Sequence, residues 1–317
     1  MTEPGLDRLG GPALAHRLLE RTMWLRGCHP WTRATWQRAY DLAVGVWGDE
    51  DILTTLHGHR ATINFANPYP FYAGEFRNYN APQVEIIALT SHALDRKVHV
   101  VDVGAAIGDT ALLIIERSSR YLAALDCVEG EDRFYRTLEH NLEGTIAKTH
   151  HAILSDRIEK IGSLVRSQHV GTASAHGPTE VEATTLDRIL GAAAPDVIKV
   201  DTDGYDGKVI GGAKSLLSKS RPSVIFEWHP RICRATGTDD SQAFSVLKGL
   251  GYTRFVFFTK YGEFSHFGDD HLGQLRELCL SATTLADWHY DVVALHGESR
   301  VDEVELADLR NWAREHP

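Results

Sequence analysis

The chain has 317 residues, more than the roughly 100–150 of a typical domain, which predicts one large domain with additions or two closely joined units. Hydrophobic residues make up 43% and charged residues 24%, as in ordinary globular proteins, so global disorder is excluded. The formal net charge of -10 argues against a broad surface for nucleic acid or anionic membranes and favours small-molecule chemistry. It leaves room for a local basic pocket, and the composition is compatible with a homo-oligomer.

The cysteines are far apart and form no CxxC pair, which predicts free thiols in a reducing compartment. The chain begins MTEPGLDRLGG, without a basic-then-apolar signal segment, and contains no run of about 18 apolar residues. We therefore expect a cytoplasmic protein that does not associate with membranes. The 17 histidines are scattered without an HExxH spacing, so their number alone does not predict a metal site.

The first 90 residues are predicted to form an accessory region of helices and a hairpin. Residues 12–26 carry apolar side chains at helical spacing, and a second helix is predicted over 31–47. Residues 52–65 contain two β-rich runs around Gly58, which predicts a hairpin. Residues 67–83 are rich in Pro, Asn and aromatic side chains and are expected to form an ordered loop. The boundary between this region (1–90) and the main domain (91–317) is placed near residue 90.

From Val98 onward, apolar runs of strand length alternate with amphipathic helices, which is typical of a parallel sheet covered on both faces. The fold class is therefore predicted to be α/β. We expect a loop over 163–178 and a terminal helix over 302–316. The predicted strands are 98–103, 123–128, 151–154, 196–200, 223–226, 254–259 and 290–295, and the predicted helices are 110–117, 132–142, 208–217 and 241–250.

The segment VHVVDVGAAIGDT brings a carboxylate, Asp102, and a glycine loop to the end of the first of these strands. Gly104 permits a tight turn, and Gly108 lets the backbone approach a ligand or the following helix closely. A dinucleotide-binding GxGxxG would require glycine where Ala106 and Asp109 stand, so a nicotinamide cofactor is disfavoured. Read as acidic-x-Gly-x-x-x-Gly, the loop suits the methionine end of S-adenosylmethionine; a plain structural turn is the alternative.

Glu129 ends the next strand, about 20 residues beyond the loop, where a carboxylate can accept hydrogen bonds from both hydroxyls of a ribose. The alternative is a carboxylate that stabilises the start of the following helix. Together with the loop, the nucleoside interpretation is favoured. Ser155 and Asp156 follow the third predicted strand and could receive an adenine amine, although capping or turn roles are equally consistent.

Three carboxylates follow the fourth predicted strand in DVIKVDTDGYDGKVIGG, at the edge where open α/β sheets bind ligands. Asp203 and Asp206 also resemble a capping box for the next helix, whereas Asp201 lies at the strand end and is harder to explain structurally. An EF-hand is rejected because Gly212 stands where its bidentate glutamate belongs.

The fifth predicted strand ends in FEWHP, and strand alternation places Glu227 and His229 on one side of it. His229 can accept a proton near neutral pH, so this edge could hold a general base oriented by a carboxylate. Two alternatives remain: a structural Glu227, or a Mg²⁺ site built from Asp201, Asp203, Glu227 and His229.

Taken together, these motifs resemble the FkbM family of S-adenosylmethionine-dependent methyltransferases from about Val98 to His229. The resemblance is carried by VVDVGAAIGDTALLI, VEGEDRFYRTLEHNL, TTLDRIL, IKVDTDGYDGKVIGGA and VIFEWHP, in that order. The family usually has Asn at Ala106, and Glu at Asp203 and Asp206, so the contacts at these positions differ from its pattern.

The resemblance implies a seven-stranded, mostly parallel, Rossmann-like methyltransferase sheet with helices on both faces. It implies transfer of a methyl group from S-adenosylmethionine, with S-adenosylhomocysteine as product. A requirement for Mg²⁺ is not expected, with the Mg²⁺ site above kept as the alternative. Asp102, Gly104 and Gly108 would line the methionine portion, Glu129 would hold the ribose, and Ser155 and Asp156 would hold the adenine. Ala105, Gly130 and Asp201 are also expected to bind the cofactor.

The acceptor is expected to be a small molecule whose hydroxyl is methylated, such as a sugar or a natural-product intermediate. This hypothesis makes His229 the base, and Asp203 or Glu227 the groups that hold the acceptor. An aromatic and polar run in the N-terminal region is expected to form a lid or an acceptor wall, with Tyr72, Arg77, Tyr79 and Asn80 as candidate contacts. A carboxyl or N-methyltransferase, an NAD(P)-dependent oxidoreductase and a non-catalytic binding protein are the alternatives.

Overall fold

The N-terminal part of the chain forms helices and one antiparallel hairpin, as expected. The structure is a computed structural model that describes residues 10–162, 165–166, 173–174, 179–281, 288–309 and 312. The N-terminal elements are α1 (Gly11–Arg21), α2 (Leu25–Cys28), α3 (Pro30–Trp47), β1 (Asp51–Leu56), β2 (His59–Asn64), α4 (Tyr69–Glu75) and α5 (Ala81–Leu94).

The remainder of the chain alternates strands and helices, as its apolar pattern predicts. Its first half comprises β3 (Val98–Val103), α6 (Asp109–Ser118), β4 (Leu122–Glu129), α7 (Asp132–Leu142), β5 (Ala147–His151), β6 (Glu159–Gly162), β7 (Val165–Arg166), β8 (Ala173–Ser174), β9 (Glu180–Ala183), α8 (Leu186–Leu190) and β10 (Val197–Val200). Its second half comprises α9 (Asp206–Gly211), α10 (Lys214–Ser220), β11 (Ser223–Trp228), α11 (Pro230–Thr236), α12 (Gln242–Gly249), β12 (Tyr252–Thr259), β13 (Phe264–Phe267), α13 (Leu272–Ser281), β14 (Tyr290–His296) and α14 (Glu303–Asp308).

The central sheet has the strand order β13-β12-β14-β11-β10-β3-β4-β5. Strands β11, β10, β3, β4 and β5 are mutually parallel, whereas β14 pairs antiparallel with both β11 and β12. Helices cover both faces, with α5, α6 and α7 on one side and α9, α10 and α12 on the other. The predicted Rossmann-like α/β class is confirmed. Because the parallel strands all end at one edge, their carboxyl termini converge on a single site.

The N-terminal elements pack onto the first of these faces and share its core. The hairpin β1–β2 is fixed to α7 by Asn141, whose side chain accepts from Thr62 N–H at 2.7 Å and donates to the Thr62 carbonyl at 2.9 Å. Trp36 of α3 is buried and donates from Nε1 to the Leu19 carbonyl at 3.1 Å. The boundary placed near residue 90 falls inside α5, whose residues 81–91 are buried. The N-terminal region is therefore held rigidly beside the edge of the sheet.

Three predictions about secondary structure were wrong. Residues 67–83 contain α4 and the start of α5 rather than a loop; α5 is buried on all sides, so it lacks the amphipathic period by which a surface helix is detected. The strand predicted at 151–154 is instead the polar edge strand β5 at 147–151. The helix predicted at 208–217 is broken into α9 and α10 at Gly212, where the backbone passes so close to Ser155 that a Cβ would lie 2.2 Å from the Ser155 carbonyl oxygen.

The sheet has eight strands rather than seven, since β13 forms a short antiparallel hairpin with β12 at its edge. Most of the loop predicted over 163–178 lies outside the described residues, as does much of the predicted terminal helix, of which α14 forms the beginning. In the portions of the chain that the structure covers, every helix is too short or too polar to cross a lipid bilayer.

Candidate active site

Two cavities open side by side at the carboxyl edge of the parallel strands. The first lies over the ends of β3 and β4, and the second lies between β10, β11 and the N-terminal elements. We call them the cofactor cavity and the acceptor cavity. Four residues line both of them: Gly104, Ala106, Asp201 and Asp203. A group bound in one cavity can therefore reach a group bound in the other across these residues.

The glycine loop between β3 and α6 forms the floor of this junction. Gly104 has φ +75°, and a Cβ there would lie 1.7 Å from the Asp201 carbonyl oxygen, so only glycine fits. Its N–H and that of Ala105 donate to the Val128 carbonyl at 2.9 and 3.1 Å. Ala106 has φ +45°, a left-handed conformation that is strained for a residue with a side chain. The loop thus holds the ends of three strands close together.

Gly108 and Ala105 belong to the loop but line neither cavity. Gly108 has φ +88° and precedes α6, where a Cβ would lie 3.0 Å from Leu138 and would crowd α7. Ala105 is 1% exposed. Both residues were predicted to bind the cofactor, but they pack beneath the loop and line neither cavity.

Glu129 lines the cofactor cavity and is held by backbone donors. Its Oε1 accepts from the N–H groups of Gly130 and Glu131 at 2.9 and 2.7 Å, and its Oε2 accepts from Ala106 N–H at 2.9 Å. Burial raises the pKa of this carboxyl to about 7, although the three backbone donors act to lower it. A carboxylate has about four acceptor positions, so Oε2 keeps one for a ligand hydroxyl.

Asp102, predicted to face the methionine moiety, is instead completely buried beneath the loop and paired with Lys199. The two residues are neighbours on β3 and β10, and the Lys199 Nζ lies 3.0 Å from the Asp102 Oδ1. Burial alone lowers the pKa of the Lys199 ammonium, but Asp102 and Asp201 outweigh this effect and raise it above its ordinary value. Lys199 lines the acceptor cavity, and our sequence reasoning missed it. The only signal was a lysine inside the otherwise apolar run VIKV.

Ser155 and Asp156, predicted to receive adenine, do not line the cofactor cavity. Ser155 is 1% exposed and its hydroxyl donates to Glu159 at 2.5 Å. Asp156 packs against the start of the α9–α10 break, where a Cβ on Gly211 would lie 3.1 Å from its side chain. The residues just before them, Ala152, Ile153 and Leu154, form the apolar wall of the cavity instead.

The N-terminal region supplies one wall of the acceptor cavity. Tyr72, Tyr79 and Asn80, all predicted acceptor contacts, line it together with Tyr69, whereas Arg77 is exposed and is not among the lining residues. The Tyr69 hydroxyl lies 2.8 Å from His57 Nε2, and its ring packs edge-on against Tyr79 with centroids 5.7 Å apart. Tyrosine hydroxyls and an amide thus face the carboxyl edge of the sheet.

The opposite wall of the acceptor cavity is acidic. Burial, reinforced by the charges of Asp201 and Asp203, raises the pKa of Glu227 well above its ordinary value. Glu227 lies opposite Asp291 of β14 in the antiparallel ladder, and burial raises the pKa of Asp291 to about 7. Burial also raises the pKa of Asp109, at the start of α6, to about 6. Several carboxyl groups therefore compete for few positive charges here.

His229 lies at the end of β11 and caps α11. It is 2% exposed, and its Nδ1 accepts from the Ile232 N–H at 3.4 Å. In a neutral ring whose Nδ1 lone pair accepts this bond, the proton resides on Nε2. Its ring centroid is 5.6 Å from that of His289, whose Nδ1 lies 3.6 Å from Glu227 Oε2. His229 thus fits a donor better than the base that the sequence predicted.

The acidic residues do not form a metal-binding arrangement in the described parts of the chain. No three or more His, Cys, Asp or Glu side chains there are positioned to hold a metal ion, and this includes the alternative Mg²⁺ set of Asp201, Asp203, Glu227 and His229. The Asp206 carboxylate is turned inward and accepts from the Thr202 N–H and hydroxyl at 3.4 and 3.3 Å. It closes the turn before α9.

Comparison with known proteins supports the resemblance. Residues 102–254 match the family model described as the methyltransferase FkbM domain. No curated protein matches the chain at a significant level.

Three solved structures are similar at low sequence identity. An FkbM methyltransferase from Methylobacillus flagellatus is 14% identical, with a TM-score of 0.40 over 62% of this chain and 43% of that protein. The O-methyltransferase TomG from Streptomyces achromogenes, solved with S-adenosylmethionine and involved in tomaymycin synthesis, is 14% identical, with a TM-score of 0.34 over 68% of this chain and 79% of that protein. A precorrin-6y C5,15-methyltransferase from Geobacter metallireducens is 13% identical, with a TM-score of 0.36 over 67% of this chain and 87% of that protein.

The chain spans less than half of the length of the Methylobacillus flagellatus protein. The family match covers the glycine loop, Glu129, Asp201 and the Glu227–His229 edge. Residues 102–254 therefore match a methyltransferase domain of the FkbM type.

Proposed function

We propose that the protein transfers a methyl group from S-adenosylmethionine to a hydroxyl of a polar small molecule, such as a sugar or a natural-product intermediate. One observation carries this proposal: the cofactor cavity and a polar acceptor cavity meet at Gly104, Ala106, Asp201 and Asp203. Direct transfer of a methyl group requires the donor and the acceptor to approach in line, and this junction is where they would do so.

The residues of the cofactor cavity fit S-adenosylmethionine. The remaining acceptor position of Glu129 suits a ribose hydroxyl, and the apolar side chains of Phe134, Ile153 and Leu154 suit a flat adenine ring. Gly104 lets the Asp201 backbone approach the loop closely, and Asp201 and Asp203 place negative charge near a sulfonium. When bound, this cofactor supplies an activated methyl group; the protein supplies alignment and a proton acceptor.

The acceptor cavity favours a ligand rich in hydroxyl groups. Tyrosine hydroxyls, amides and carboxylates can hydrogen-bond to several hydroxyls at once, and the ring of Tyr261 offers an apolar face. A carboxylate acceptor is disfavoured because it would meet Asp201, Asp203 and Glu227.

We assign the role of base to Asp203, because it lines both cavities and so lies where the acceptor oxygen would be deprotonated. Its backbone is left-handed, with φ +50°, which holds it in the turn after β10. His229 and Glu227 would then hold the acceptor, His229 as a hydrogen-bond donor.

An amine acceptor is the second candidate, because the acidic wall would also stabilise an ammonium group. An NAD(P)-dependent oxidoreductase is disfavoured, since the carboxylate of Asp109 stands at the start of α6, where a dinucleotide pyrophosphate would bind. A non-catalytic binding protein would bind the cofactor without turnover.

The test is incubation with methyl-labelled S-adenosylmethionine and a panel of hydroxyl, amine and carboxyl acceptors, followed by mass spectrometry and NMR of the product. We expect an O-linked methyl group and release of S-adenosylhomocysteine. Methyl transfer only to nitrogen would replace the proposal with the amine candidate. Cofactor binding without turnover on any acceptor would contradict both.

Two variants test the assignment of the base. Asp203→Asn should lower kcat by about 100-fold, within the range for loss of general base catalysis. His229→Asn keeps a residue that caps helices well but has no titratable ring, and it should lower kcat by less than about tenfold. The reverse pattern, with the larger loss in His229→Asn, would return the role of base to His229.

A further inference from the structure

Lys199 is a buried lysine that the proposed chemistry does not use. It lies within β10, is 4% exposed, and is flanked along the strand by the buried residues Ile198 and Val200. A lysine in this environment is costly to bury unless its charge is paired. We therefore expect Lys199 to have a role that an apolar side chain such as leucine or valine could not perform.

Three oxygen atoms surround the Lys199 ammonium. Nζ lies 3.0 Å from Asp102 Oδ1, 3.5 Å from the Gly104 carbonyl oxygen and 3.5 Å from Asp201 Oδ2. Two of these oxygens belong to carboxylates that pair with its charge, and the Gly104 carbonyl accepts a hydrogen bond from Nζ. The ammonium is therefore engaged by groups of the protein on three sides, although Lys199 lines the acceptor cavity. Lys199 is thus suited to hold other groups in place rather than to contact the reacting atoms.

The three partners of Lys199 differ in how deeply they are buried. Asp102 is completely buried, and neither of its carboxylate oxygens accepts a well-aligned hydrogen bond from the described part of the chain. It therefore anchors the ammonium. The Asp201 side chain is 42% exposed, and Gly104 belongs to the loop at the junction of the cavities. Lys199 thus connects a fixed anchor beneath the loop to two groups at the point of transfer.

We propose that Lys199, anchored by Asp102, is a positioning residue that fixes the Asp201 carboxylate and the Gly104 carbonyl at the junction of the two cavities. This proposal rests on the proposed function, because it concerns the same site. It also explains why Asp102 is buried rather than facing a ligand: its role is exerted through Lys199.

The test separates positioning from simple structural support. Lys199→Met and Asp102→Leu each leave one buried charge unpaired, and each should lower Tm by roughly 10 °C. In the double variant Lys199→Met/Asp102→Leu both charges are removed; apolar replacements for a buried ion pair are often neutral, so Tm should return to within about 3 °C of the parent protein.

The double variant should still lose function. We expect its affinity for S-adenosylhomocysteine to fall about tenfold by calorimetry and its kcat to fall about 100-fold. A double variant that regains both Tm and function would overturn the proposal, because the pair would then serve stability alone.

The matched control is an ion pair that joins the same two strands at the opposite edge of the sheet. Arg96, just before β3, pairs with Asp196, just before β10, with Arg96 Nη2 and Asp196 Oδ1 2.6 Å apart. Arg96→Met should lower Tm slightly and leave cofactor affinity and kcat unchanged. An equal loss of cofactor affinity in Arg96→Met would also overturn the proposal, because linkage between the strands would then be sufficient to explain it.

If the double variant does not fold, the kcat of Asp201→Asn is measured instead. Because Lys199 is proposed to act through Asp201, this variant should show a loss of kcat of the same order, and full activity would contradict the proposal. The affinity for S-adenosylhomocysteine is measured without any acceptor. A protein that binds the cofactor but methylates nothing would therefore disprove the proposed function while the positioning role is still tested.

Discussion

The two cavities of the site are built in different ways. The cofactor cavity is lined mainly by short segments at the ends of individual strands, 103–106, 128–130, 152–154 and 201–205, and most of its wall is apolar around the carboxylates of Glu129, Asp201 and Asp203. The acceptor cavity gathers single residues from the N-terminal region, from β10 and β11 and from the turn after β12, and it is acidic and polar. A ligand with constant chemistry can be held by local motifs, whereas a specific acceptor requires a surface assembled by tertiary folding.

The largest expected effect tests whether the glycine loop serves both cavities. Gly104→Ala would place a Cβ 1.7 Å from the Asp201 carbonyl oxygen, so the loop or β10 must move. We expect the affinity for S-adenosylhomocysteine to fall by at least about 100-fold, measured by calorimetry, because a displaced backbone alters both walls of the junction. Transfer activity should fall to background.

Gly144→Ala is the matched control for Gly104→Ala. Gly144 has the same φ of +75°, but no atom lies within 4 Å of the position that a Cβ would occupy. Its substitution carries only the conformational cost of about 1 kcal/mol and should lower Tm slightly without affecting cofactor affinity. A similar loss of affinity in both variants would show that backbone strain, rather than the contact with Asp201, is responsible.

A smaller effect concerns the cofactor cavity alone and depends on pH. The pKa of Glu129 is raised to about 7 by burial, so the carboxyl loses its charge as the pH falls below that value. If the ionised form accepts the ribose hydroxyl, the affinity for S-adenosylhomocysteine should fall about tenfold between pH 8 and pH 6. Glu129→Gln should weaken binding at pH 8 and make it nearly independent of pH.

The control for this dependence is Glu131→Gln. Glu131 caps α7 by accepting from Arg133 and Phe134 N–H and does not line the cavity, so its variant should keep the pH dependence of cofactor affinity.

The stability of the fold depends on pH in the opposite direction. Because the folded-state pKa of Glu129 is raised from 4.5, the contribution of Glu129 to the free energy of unfolding is fully present below pH 4.5 and is lost as the pH rises through 7. Cofactor affinity that stays constant from pH 6 to pH 8 would exclude Glu129 as the ribose ligand.

The same contrast explains what the sequence could predict. The strands that carry Asp102, Glu129 and Glu227, and the strand that precedes Asp201, were predicted within one or two residues, because each is an apolar run bounded by turn residues. Their carboxyl ends must then meet at one edge of a parallel sheet. The position of the cofactor cavity therefore follows from motifs at the ends of these strands, although only Gly104, Glu129, Gly130 and Asp201 of the predicted cofactor residues line it.

The remaining features depend on contacts between distant parts of the chain. Lys199 and Asp102 become partners only when β3 and β10 are neighbours, and Asp291 meets Glu227 only through the antiparallel pairing of β14. The cavity wall is formed by Ala152–Leu154 rather than by the predicted Ser155 and Asp156, because the polar edge strand β5 ends at His151. These pairings carry no local signal in the sequence, so an argument from periodicity could not find them.

The smallest expected effect tests whether the acceptor cavity can be altered without the cofactor cavity. Tyr261, in the turn after β12, lines the acceptor cavity and stacks on Phe76 from the N-terminal region, with ring centroids 3.9 Å apart. Beside this stack, Asn78 Nδ2 donates to Glu263 at 3.1 Å. These contacts join the two walls of the cavity. Removal of the Tyr261 ring should therefore loosen the closure around an acceptor but leave the glycine loop in place.

We expect Tyr261→Ala to raise the KM for the acceptor by about two- to tenfold, the range that corresponds to one aromatic pair. Its kcat and its affinity for S-adenosylhomocysteine should change by less than about twofold. Tyr261→Phe keeps the stack and should behave like the parent protein, unless the hydroxyl itself contacts the acceptor. Steady-state kinetics and calorimetry on the two variants measure whether the acceptor cavity can be altered alone. If Tyr261→Ala lost as much cofactor affinity as Glu129→Gln, the two cavities would form one cooperative unit, because damage to the wall of the acceptor cavity would then weaken binding in the cofactor cavity.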